Sequence, residues 1–443
     1  MEDEGYSNPR WMIVGISFIT LALAYGAVWY SFSVFFVALV REFSWNRSVA
    51  AGGFSLFTIL HGVTGPFIGS LVDRFGPRGV FLLGSFVLGA GLALCSLIRG
   101  WWQFYIFFGI ITAIGVGSIG WVANTTMIQQ WFREKRGLAM GIISSGVGVG
   151  IFICVPSIQH LIDRLGWRIT YRIIAVSIPL VIFSMMIASL RKLPQAMAPG
   201  RVKREAILQA PRDPLIVDEE WTSRDWTVRQ AATTKQFWLF AFSLFLSNFT
   251  IGSVFTHQIA FFIDQGLMPL FASYIAGMIG IVSIAGKILW GVLSDKIGRE
   301  VTYLAGTVCS VCAMFLLIVF TVLPNSYIPY FYALFFGLGY AVITALPPLV
   351  AADFFEGHAY GRIFGALMML NCVGGASGAW FTGFLYDQVK SYVPAFIILI
   401  GCTLCALVNI WAAAPRKIRV VPGKRSTRSS NRKEWEALNS GRS

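Results

Sequence analysis

The chain has 443 residues, of which 56% are hydrophobic and 13% are charged, and its mean hydropathy is +0.68. A soluble domain carries about a quarter charged residues, so this composition excludes an ordinary soluble protein and indicates an integral membrane protein. The net charge of +14 raises the alternative of a nucleic-acid-binding protein, and the placement of the charges argues against it.

Apolar runs of membrane length recur along the whole sequence. A membrane-spanning helix needs about 20 mostly apolar residues. Twelve such runs occur, at 11–38, 49–70, 80–98, 103–129, 138–158, 171–190, 236–262, 271–293, 302–321, 328–352, 363–386 and 394–414. The first run is longer than the apolar region of a signal peptide and lacks a small-residue cleavage site, so we expect it to be retained. The sequence therefore predicts an all-α membrane protein with twelve transmembrane helices.

A polar stretch separates the first six runs from the last six. Residues 191–235 are rich in proline and in basic residues and carry an acidic patch at 218–220, so they cannot bury a core of their own. We expect a six-helix bundle at 1–190, a cytoplasmic linker at 191–235, a second six-helix bundle at 236–414 and a cytoplasmic tail at 415–443. Within the linker, 221–230 is predicted to form a short amphipathic helix on the membrane surface.

The basic residues gather on one side of this topology. Lysine and arginine are frequent in the loops on the side of the two termini and sparse in the loops on the other side. This is the positive-inside pattern, which predicts that both termini are cytoplasmic. The charge is thus topological, and no nucleic-acid partner is expected. We expect a multi-pass protein of the cell membrane, with the bacterial inner membrane favoured over a eukaryotic plasma membrane.

One charged turn occurs twice. The segments Gly69-Ser-Leu-Val-Asp-Arg-Phe-Gly-Pro-Arg78 and Gly291-Val-Leu-Ser-Asp-Lys-Ile-Gly-Arg299 each join two apolar runs, and Asp73 and Asp295 are 222 positions apart. The repeat predicts a duplicated chain with two pseudo-symmetric halves and alternating access between them. The charges are interpreted as gating residues that pair at the inner face: Asp73, Arg74, Arg78, Asp295, Lys296 and Arg299. The alternative is that they only stop membrane translocation.

These turns resemble the signature of the major facilitator superfamily, over the whole chain. A narrower resemblance, to the monocarboxylate transporter and oxalate/formate antiporter group, is carried by Trp131-Phe-Arg-Glu-Lys-Arg-Gly-Leu-Ala-Met-Gly141 before the fifth helix. Similar segments occur at 144–148, 165–168, 31–36 and 236–238. The resemblance implies a twelve-helix carrier that functions as a monomer.

Lys287 is the one basic residue deep within an apolar run. It lies eight residues before Asp295, which at 1.5 Å per residue is about 12 Å along the helix from the inner turn. No Asp or Glu lies deep in any run, so the ammonium group has no obvious partner there. Such a cation suits a site for a small organic anion. The alternative is a lysine whose amine reaches the headgroup region.

The resemblance bears on this position directly. Monocarboxylate transporters carry, in the eighth helix, an arginine that binds the substrate carboxylate, four residues after an aspartate. Those positions correspond to Lys287 and Ser283, and the family's first-helix lysine corresponds to Tyr30. Lys287 keeps the charge and loses the bidentate geometry of arginine. The resemblance therefore supports carboxylate binding, and the departures argue against the family's own proton-coupling scheme.

Other polar residues within the runs are candidates for the same site. His257 could carry a coupling proton or donate to the substrate, or it could bond a neighbouring carbonyl as a structural residue. His61 is open to the same two interpretations. The resemblance implies a cavity lined by helices 1, 4, 7 and 10, which supply Tyr30, Asn124, Asn248, Tyr332 and Tyr340, with Asn371 from helix 11. Each of these could equally be a packing residue.

The leading hypothesis is a secondary active transporter that moves a small organic anion, first of all a monocarboxylate, with protons as a candidate coupling ion. Exchange of anions of the oxalate/formate type and multidrug efflux are the alternatives within transport. Outside transport, a membrane sensor is the alternative, with too little polar chain for an effector domain. No motif for enzyme chemistry, metal binding or a cofactor occurs, and the cysteines are interpreted as packing residues.

Overall fold

The structure is a computed structural model, which describes residues 9–131, 136–190, 216–355, 357 and 359–421. Nearly all of these residues are helical, and twelve helices are long and apolar enough to cross a membrane. They are α1 (Pro9–Leu21, Ala22–Tyr30 and Phe32–Phe43), α2 and α3 (together Arg47–Cys95, divided at Gly76), α4 (Trp101–Phe104, Tyr105–Thr112, Ala113–Ile119 and Trp121–Trp131), α5 (Arg136–Leu165), α6 (Trp167–Leu190), α7 (Lys235–Asp264), α8 (Pro269–Ile297), α9 (Arg299–Val322), α10 (Ile328–Ala345 and Pro347–Phe355), α11 (Tyr360–Val389) and α12 (Val393–Ala413). The predicted all-α fold with twelve helices is confirmed.

The two halves, α1–α6 and α7–α12, repeat one packing contact. A Cβ atom built on Gly26 would lie 2.4 Å from the carbonyl carbon of Gly150, so α1 and α5 touch backbone to backbone. In the second half, a Cβ atom on Gly252 would lie 2.2 Å from the carbonyl oxygen of Gly375, where α7 meets α11. Small residues permit this approach in a membrane. Gly252 lies 226 positions after Gly26, and Gly375 lies 225 positions after Gly150, which is close to the 222 positions between the duplicated turns.

The largest contacts between the halves are made by two pairs of helices, α2 with α11 and α5 with α8. At the second pair, a Cβ atom on Gly280 would lie 2.4 Å from the carbonyl oxygen of Gly148. At the first, the Ser55 hydroxyl donates to the carbonyl of Ala376 at 2.6 Å. Small residues therefore form the close approach at both of these helix pairs, which suits two bodies that move against each other.

Three helices are irregular in their middle. α1 is a π-helix over Ala22–Tyr30, α4 is one over Tyr105–Thr112, and α4 also breaks at Gly120, whose backbone is extended at φ −84° and ψ −154°. α10 is interrupted at Leu346, the residue before Pro347. Widened and broken turns of this kind are frequent at functional sites in helices. α1, α4 and α10 are three of the four helices that were expected to line a cavity.

The two faces of the bundle differ in their loops. We call the face at which α1 begins and α12 ends the terminal face, and the opposite one the loop face. Both duplicated turns lie at the terminal face, and each reverses the chain at a glycine with positive φ, at 75° for Gly76 and 105° for Gly298. Only glycine adopts such angles without strain, which explains its place in both copies of the turn.

The segment before α7 differs from its prediction. It forms two short helices, Glu219–Thr222 and Val228–Ala232, instead of one amphipathic helix. Trp226 is buried, and the indole of Trp221 donates to the carbonyl of Phe354 at 2.8 Å, so this segment packs on the end of α10. The two tryptophan side chains therefore pack against the protein, where the prediction placed them on the membrane surface. Residues 191–215 of the expected linker and 422–443 of the expected tail lie outside the described residues.

Candidate functional site

The ammonium group of Lys287 lies beside the ring of Tyr340. Its Nζ atom is 5.5 Å from the ring centroid, within the range of a cation–π contact. The side chain is partly buried within α8, and the ion pairs found among the described residues do not include it. Ser283, one turn away, is fully buried and donates to the carbonyl of Gly280 at 2.8 Å. A single positive charge therefore stands among aromatic and small residues.

Tyr340 connects this cation to the other half of the molecule. Its hydroxyl is hydrogen-bonded to the hydroxyl of Tyr30 at 2.5 Å, so α10 and α1 meet at this point. The ring of Phe255, on α7, lies 4.6 Å from the ring of Tyr30 and 5.1 Å from that of Tyr340 between centroids. We call Lys287, Tyr30, Tyr340 and Phe255 the central cluster. It places one cation and two hydroxyl groups against an aromatic wall.

His257 and Tyr332 form hydrogen bonds with residues outside the central cluster. The Nε2 atom of His257 donates to the carbonyl of Ala379 at 2.9 Å, and its Nδ1 atom is 3.2 Å from the hydroxyl of Tyr392. Both ring nitrogens are therefore occupied, as the structural interpretation of this residue requires. Tyr332 is fully buried and donates to Gln258 at 2.7 Å, within the second half. Neither residue joins the central cluster.

The three asparagine candidates take part in hydrogen bonds to backbone carbonyls. The amide of Asn124 donates to the carbonyls of Ile119 and Gly120, at 2.7 and 2.8 Å, and so satisfies the backbone at the break in α4. Its Oδ1 atom is buried without a partner. Asn371 contributes its carbonyl, which accepts from the amide of Asn248 at 2.7 Å. The structure thus gives Asn124 a role in shaping α4 and leaves one of its atoms free.

Among the gating candidates at the terminal face, Arg299 and Asp295 form ion pairs, and the described basic residues Lys296, Arg74 and Arg78 are exposed. Arg299 bonds Asp295 at 2.7 Å and Asp353, at the end of α10, at 3.1 Å, all within the second half. The guanidinium of Arg74 lies over the ring of Phe75. The side chain of Asp73 and residues 132–135 lie outside the described part of the chain. The expected pairing across the inner face therefore stays a prediction.

A cluster at the loop face, which the sequence reasoning did not single out, joins the two halves. The guanidinium of Arg47, at the start of α2, forms an ion pair with Asp264 at the end of α7, at 2.7 Å. The backbone amides of Arg47 and Ser48 both donate to the carboxylate of Asp387 at 2.9 Å, and the Ser48 hydroxyl donates to it at 2.6 Å. Arg47 also bonds the Tyr392 hydroxyl. The first turn of a helix is a natural anion site, so α2 holds the end of α11.

No group of three or more His, Cys, Asp or Glu side chains that could hold a metal ion occurs within the described residues.

Comparison with known proteins agrees with the fold. The family model for the Major Facilitator Superfamily matches residues 17–379. The chain is 25% identical to the uncharacterized MFS-type transporter YcxA of Bacillus subtilis, over 91% of this chain and 96% of that one. It is 26% identical to monocarboxylate transporter 12 of Xenopus laevis, over 96% and 93% of the two chains, and 25% identical to monocarboxylate transporter 13 of Rattus norvegicus, over 88% and 85%.

Among solved structures, a bacterial homologue of the human lysosomal transporter Spinster, crystallised in an inward-facing and occupied conformation, superposes with a TM-score of 0.65. That match covers 93% of this chain and 97% of the other at 14% sequence identity, so it speaks to the fold alone. The family and the relatives are those of membrane transporters and not of enzymes. With twelve membrane helices, a duplicated turn and a family match across most of its length, this chain belongs to the major facilitator superfamily.

Proposed function

We propose that the protein is a secondary active transporter for a small monocarboxylate, moved by alternating access between the two halves. The observation that carries the proposal is the position of Lys287. A cation near the middle of a membrane helix is costly unless it meets water or a negative group. The carboxylate of the cargo supplies that negative group, and the described residues offer no carboxylate in an ion pair with it.

The rest of the central cluster fits the remainder of such a cargo. The hydroxyls of Tyr30 and Tyr340 bond each other at 2.5 Å. A carboxylate that replaced this bond would accept from both hydroxyls, and hydrogen bonds to a charged group are stronger than those between neutral groups. Phe255 and the two tyrosine rings offer an apolar surface to a short carbon chain. Because Tyr30 and Tyr340 belong to different halves, a carboxylate bound between them would touch both moving bodies.

The distribution of basic residues supports an assignment of the two faces of the bundle to the two sides of the membrane. We propose that the terminal face is cytoplasmic, as the positive-inside pattern predicts. The ties of Arg47 and Ser48 to Asp264 and Asp387 would then close the outer side, and the conformation would be inward-facing. The duplicated turns would take over the pairing at the inner face in the outward-facing state. A bacterial inner membrane and a monomeric carrier complete this proposal.

The family relationship supports the same substrate class. Relatives named monocarboxylate transporters align over most of this chain at about a quarter identity. An exchanger for two such anions would use the same cation and cluster. Multidrug efflux has less support. Its carriers need acidic groups to bind cationic drugs, and the buried Glu300 and the partly buried Asp353 are already paired with Arg416 and Arg299.

Thermal unfolding of the purified protein with acetate, lactate, pyruvate or benzoate tests the proposal. A ligand that binds only the folded state raises the melting temperature. We expect at least one of these anions to stabilise the wild type and none to stabilise Lys287→Gln. Lys287→Arg should retain part of the effect because it keeps the charge. Lys417→Gln, which removes an exposed lysine after α12, is the matched control and should behave as the wild type does.

Uptake into proteoliposomes gives the second readout. The anion that stabilises the wild type should enter liposomes that hold the wild type or Lys417→Gln and should not enter those that hold Lys287→Gln. Equal stabilisation and equal uptake by a folded Lys287→Gln variant would contradict the assignment of the anion site. Uptake that requires a second anion inside the liposomes would identify the exchanger instead of net transport.

A further inference from the structure

A second polar site lies in the first half, where α4 breaks. At Gly120 the helix opens, and the backbone amide of Trp121 donates to the hydroxyl of Tyr25 on α1 at 3.3 Å. The same hydroxyl is 3.2 Å from the Nε2 atom of His61 on α2. Three helices thus converge on one imidazole ring.

One nitrogen of that ring is left without a partner. The Nδ1 atom of His61 is buried and makes no hydrogen bond among the described residues. It faces glycines of α4: a Cβ atom built on Gly117 would lie 3.9 Å from Nδ1, and one on Gly120 would lie 3.3 Å from Cε1. A buried polar atom without a partner is rare in native structures and calls for an explanation. His257, by contrast, has both nitrogens bonded.

The surroundings of His61 contain no competing charge. From α1 the ring meets Tyr25 and Trp29, with ring centroids 6.0 and 4.9 Å away, and from its own helix it meets Phe57 at 6.4 Å. From α11, Cys372 packs against the adjacent Gly62. The Asn124 amide oxygen, on α4, is a second buried acceptor without a partner. No Asp, Glu, Lys or Arg of the described chain forms an ion pair or a hydrogen bond with the ring.

The π-helical segment of α1 connects this ring to the central cluster. Residues Ala22–Tyr30 carry Tyr25 and Trp29, which touch His61, and end with Tyr30, which touches Tyr340. A change of charge on His61 therefore acts on the same short segment that would bind the carboxylate. Trp29 and Tyr30 are consecutive residues, so movement of one is transmitted to the other.

We propose that His61 binds the coupling proton of this transporter, an inference that rests on the proposed function. In the tautomer that carries its hydrogen on Nε2, this nitrogen donates to the Tyr25 oxygen, and the lone pair of Nδ1 can accept a proton. The neutral ring then becomes an imidazolium with its positive charge beside aromatic rings, which favour a cation. The proton and the carboxylate enter from one side and leave on the other, so no net charge from this pair crosses the membrane. The proton returns to water when Nδ1 releases it.

The test uses the full-length protein in liposomes and labelled lactate, or whichever anion of the panel stabilises the wild type. Two rates are measured: exchange of lactate at equal pH, and accumulation driven by a pH gradient. We expect His61→Gln to keep exchange within about twofold of the wild type and to lose gradient-driven accumulation by about tenfold or more. His160→Gln, which removes an exposed histidine of α5, is the matched control and should retain both activities.

Tyr25→Phe provides a second variant in case His61→Gln does not fold. It keeps the titrating ring and removes its hydroxyl partner, so it should shift the pH midpoint of accumulation and not abolish accumulation. Gradient-driven accumulation by His61→Gln equal to that of the wild type, or an unshifted midpoint in Tyr25→Phe, would overturn the assignment. A wild type that exchanges lactate without any response to the gradient would overturn it too, and would leave the carrier itself standing. A wild type that exchanges none of the anions would overturn the proposed function and this inference together.

Discussion

The two faces of the bundle are held in different ways. At the loop face, α2 of the first half is bonded to α7 and α11 of the second half through Arg47, Asp264 and Asp387. At the terminal face, Arg299 bonds Asp295 and Asp353, partners from its own half. Bonds between halves oppose their separation, whereas bonds within a half only stiffen it. Within the described residues, which leave out the Asp73 side chain and residues 132–135 at the terminal face, ion pairs between the halves therefore occur at the loop face. A closed loop face and a terminal face that opens remain part of the proposal.

The largest effect is expected at the contact between the two halves, where α5 meets α8. Gly280→Val would place side-chain atoms where a Cβ already approaches the Gly148 carbonyl at 2.4 Å, and backbone cannot easily yield. We expect transport to fall about tenfold or more, because α5 and α8 are forced apart. Gly401→Ala on α12, where a Cβ meets nothing within 4 Å, is the matched control. Uptake rates in proteoliposomes measure both, and normal transport by Gly280→Val would show that the close contact is dispensable.

Asp387→Asn should weaken the bonding between the halves at the loop face. The change removes the charge that the α2 amides and Ser48 hold, and hydrogen bonds to charged groups contribute about 1.5–3 kcal/mol each. We expect a lower melting temperature and faster labelling of a cysteine placed at Val40 by a membrane-impermeant maleimide, in a background without the native cysteines. Labelling no faster than in the unmutated background would mean that the loop face is closed by other contacts.

Arg299→Gln should lower stability without opening either face. Its ion pairs with Asp295 and Asp353 are confined to the second half, and partly buried pairs of this kind cost about 1–3 kcal/mol when one partner is lost. The melting temperature should fall, and the labelling rate at the Val40 position should stay as it was. A change in that rate would indicate that Arg299 acts between the halves.

The smallest effect is expected for Arg78→Gln. Arg78 is exposed, and surface substitutions of this kind change stability by about 0.5 kcal/mol or less. If the duplicated turns pair across the inner face in the outward-facing state, as the sequence predicts, the variant should favour the present conformation. Labelling at the Val40 position should then slow modestly, and an unchanged rate would support the alternative that the charge only stops translocation.

The fold could be read from the sequence because its determinants are local. Apolar runs set the helices, and Gly76 and Gly298 mark chain reversals that only glycine adopts easily. The central cluster was partly accessible for the same reason: Lys287 stands out in an apolar run, and the family resemblance placed Tyr30 and Tyr340 in a cavity. Their mutual contact depends on the rotation of α1 and α10, which no local pattern contains.

The partners of the remaining site residues could not be predicted from the sequence. His257, Tyr332 and Asn124 are polar residues within helices, and their hydrogen-bond partners come from positions that only the fold brings near, except at the α4 break. Arg47 and Asp264 are 217 positions apart and read as ordinary loop charges. In the sequence, a charged residue at the end of an apolar run has the same pattern whether its side chain lies in water or bonds the other half of the molecule.

The chain that enters the second half lies against the chain that leaves it. Ile216 and Arg419 form a short antiparallel bridge, and the amide of Val217 donates to the carbonyl of Ile418 at 2.9 Å. The two ends of α7–α12 are therefore neighbours in space. A circularly permuted gene that joins these ends directly, with new termini opened in a loop of the same half, would preserve the helix packing of that half.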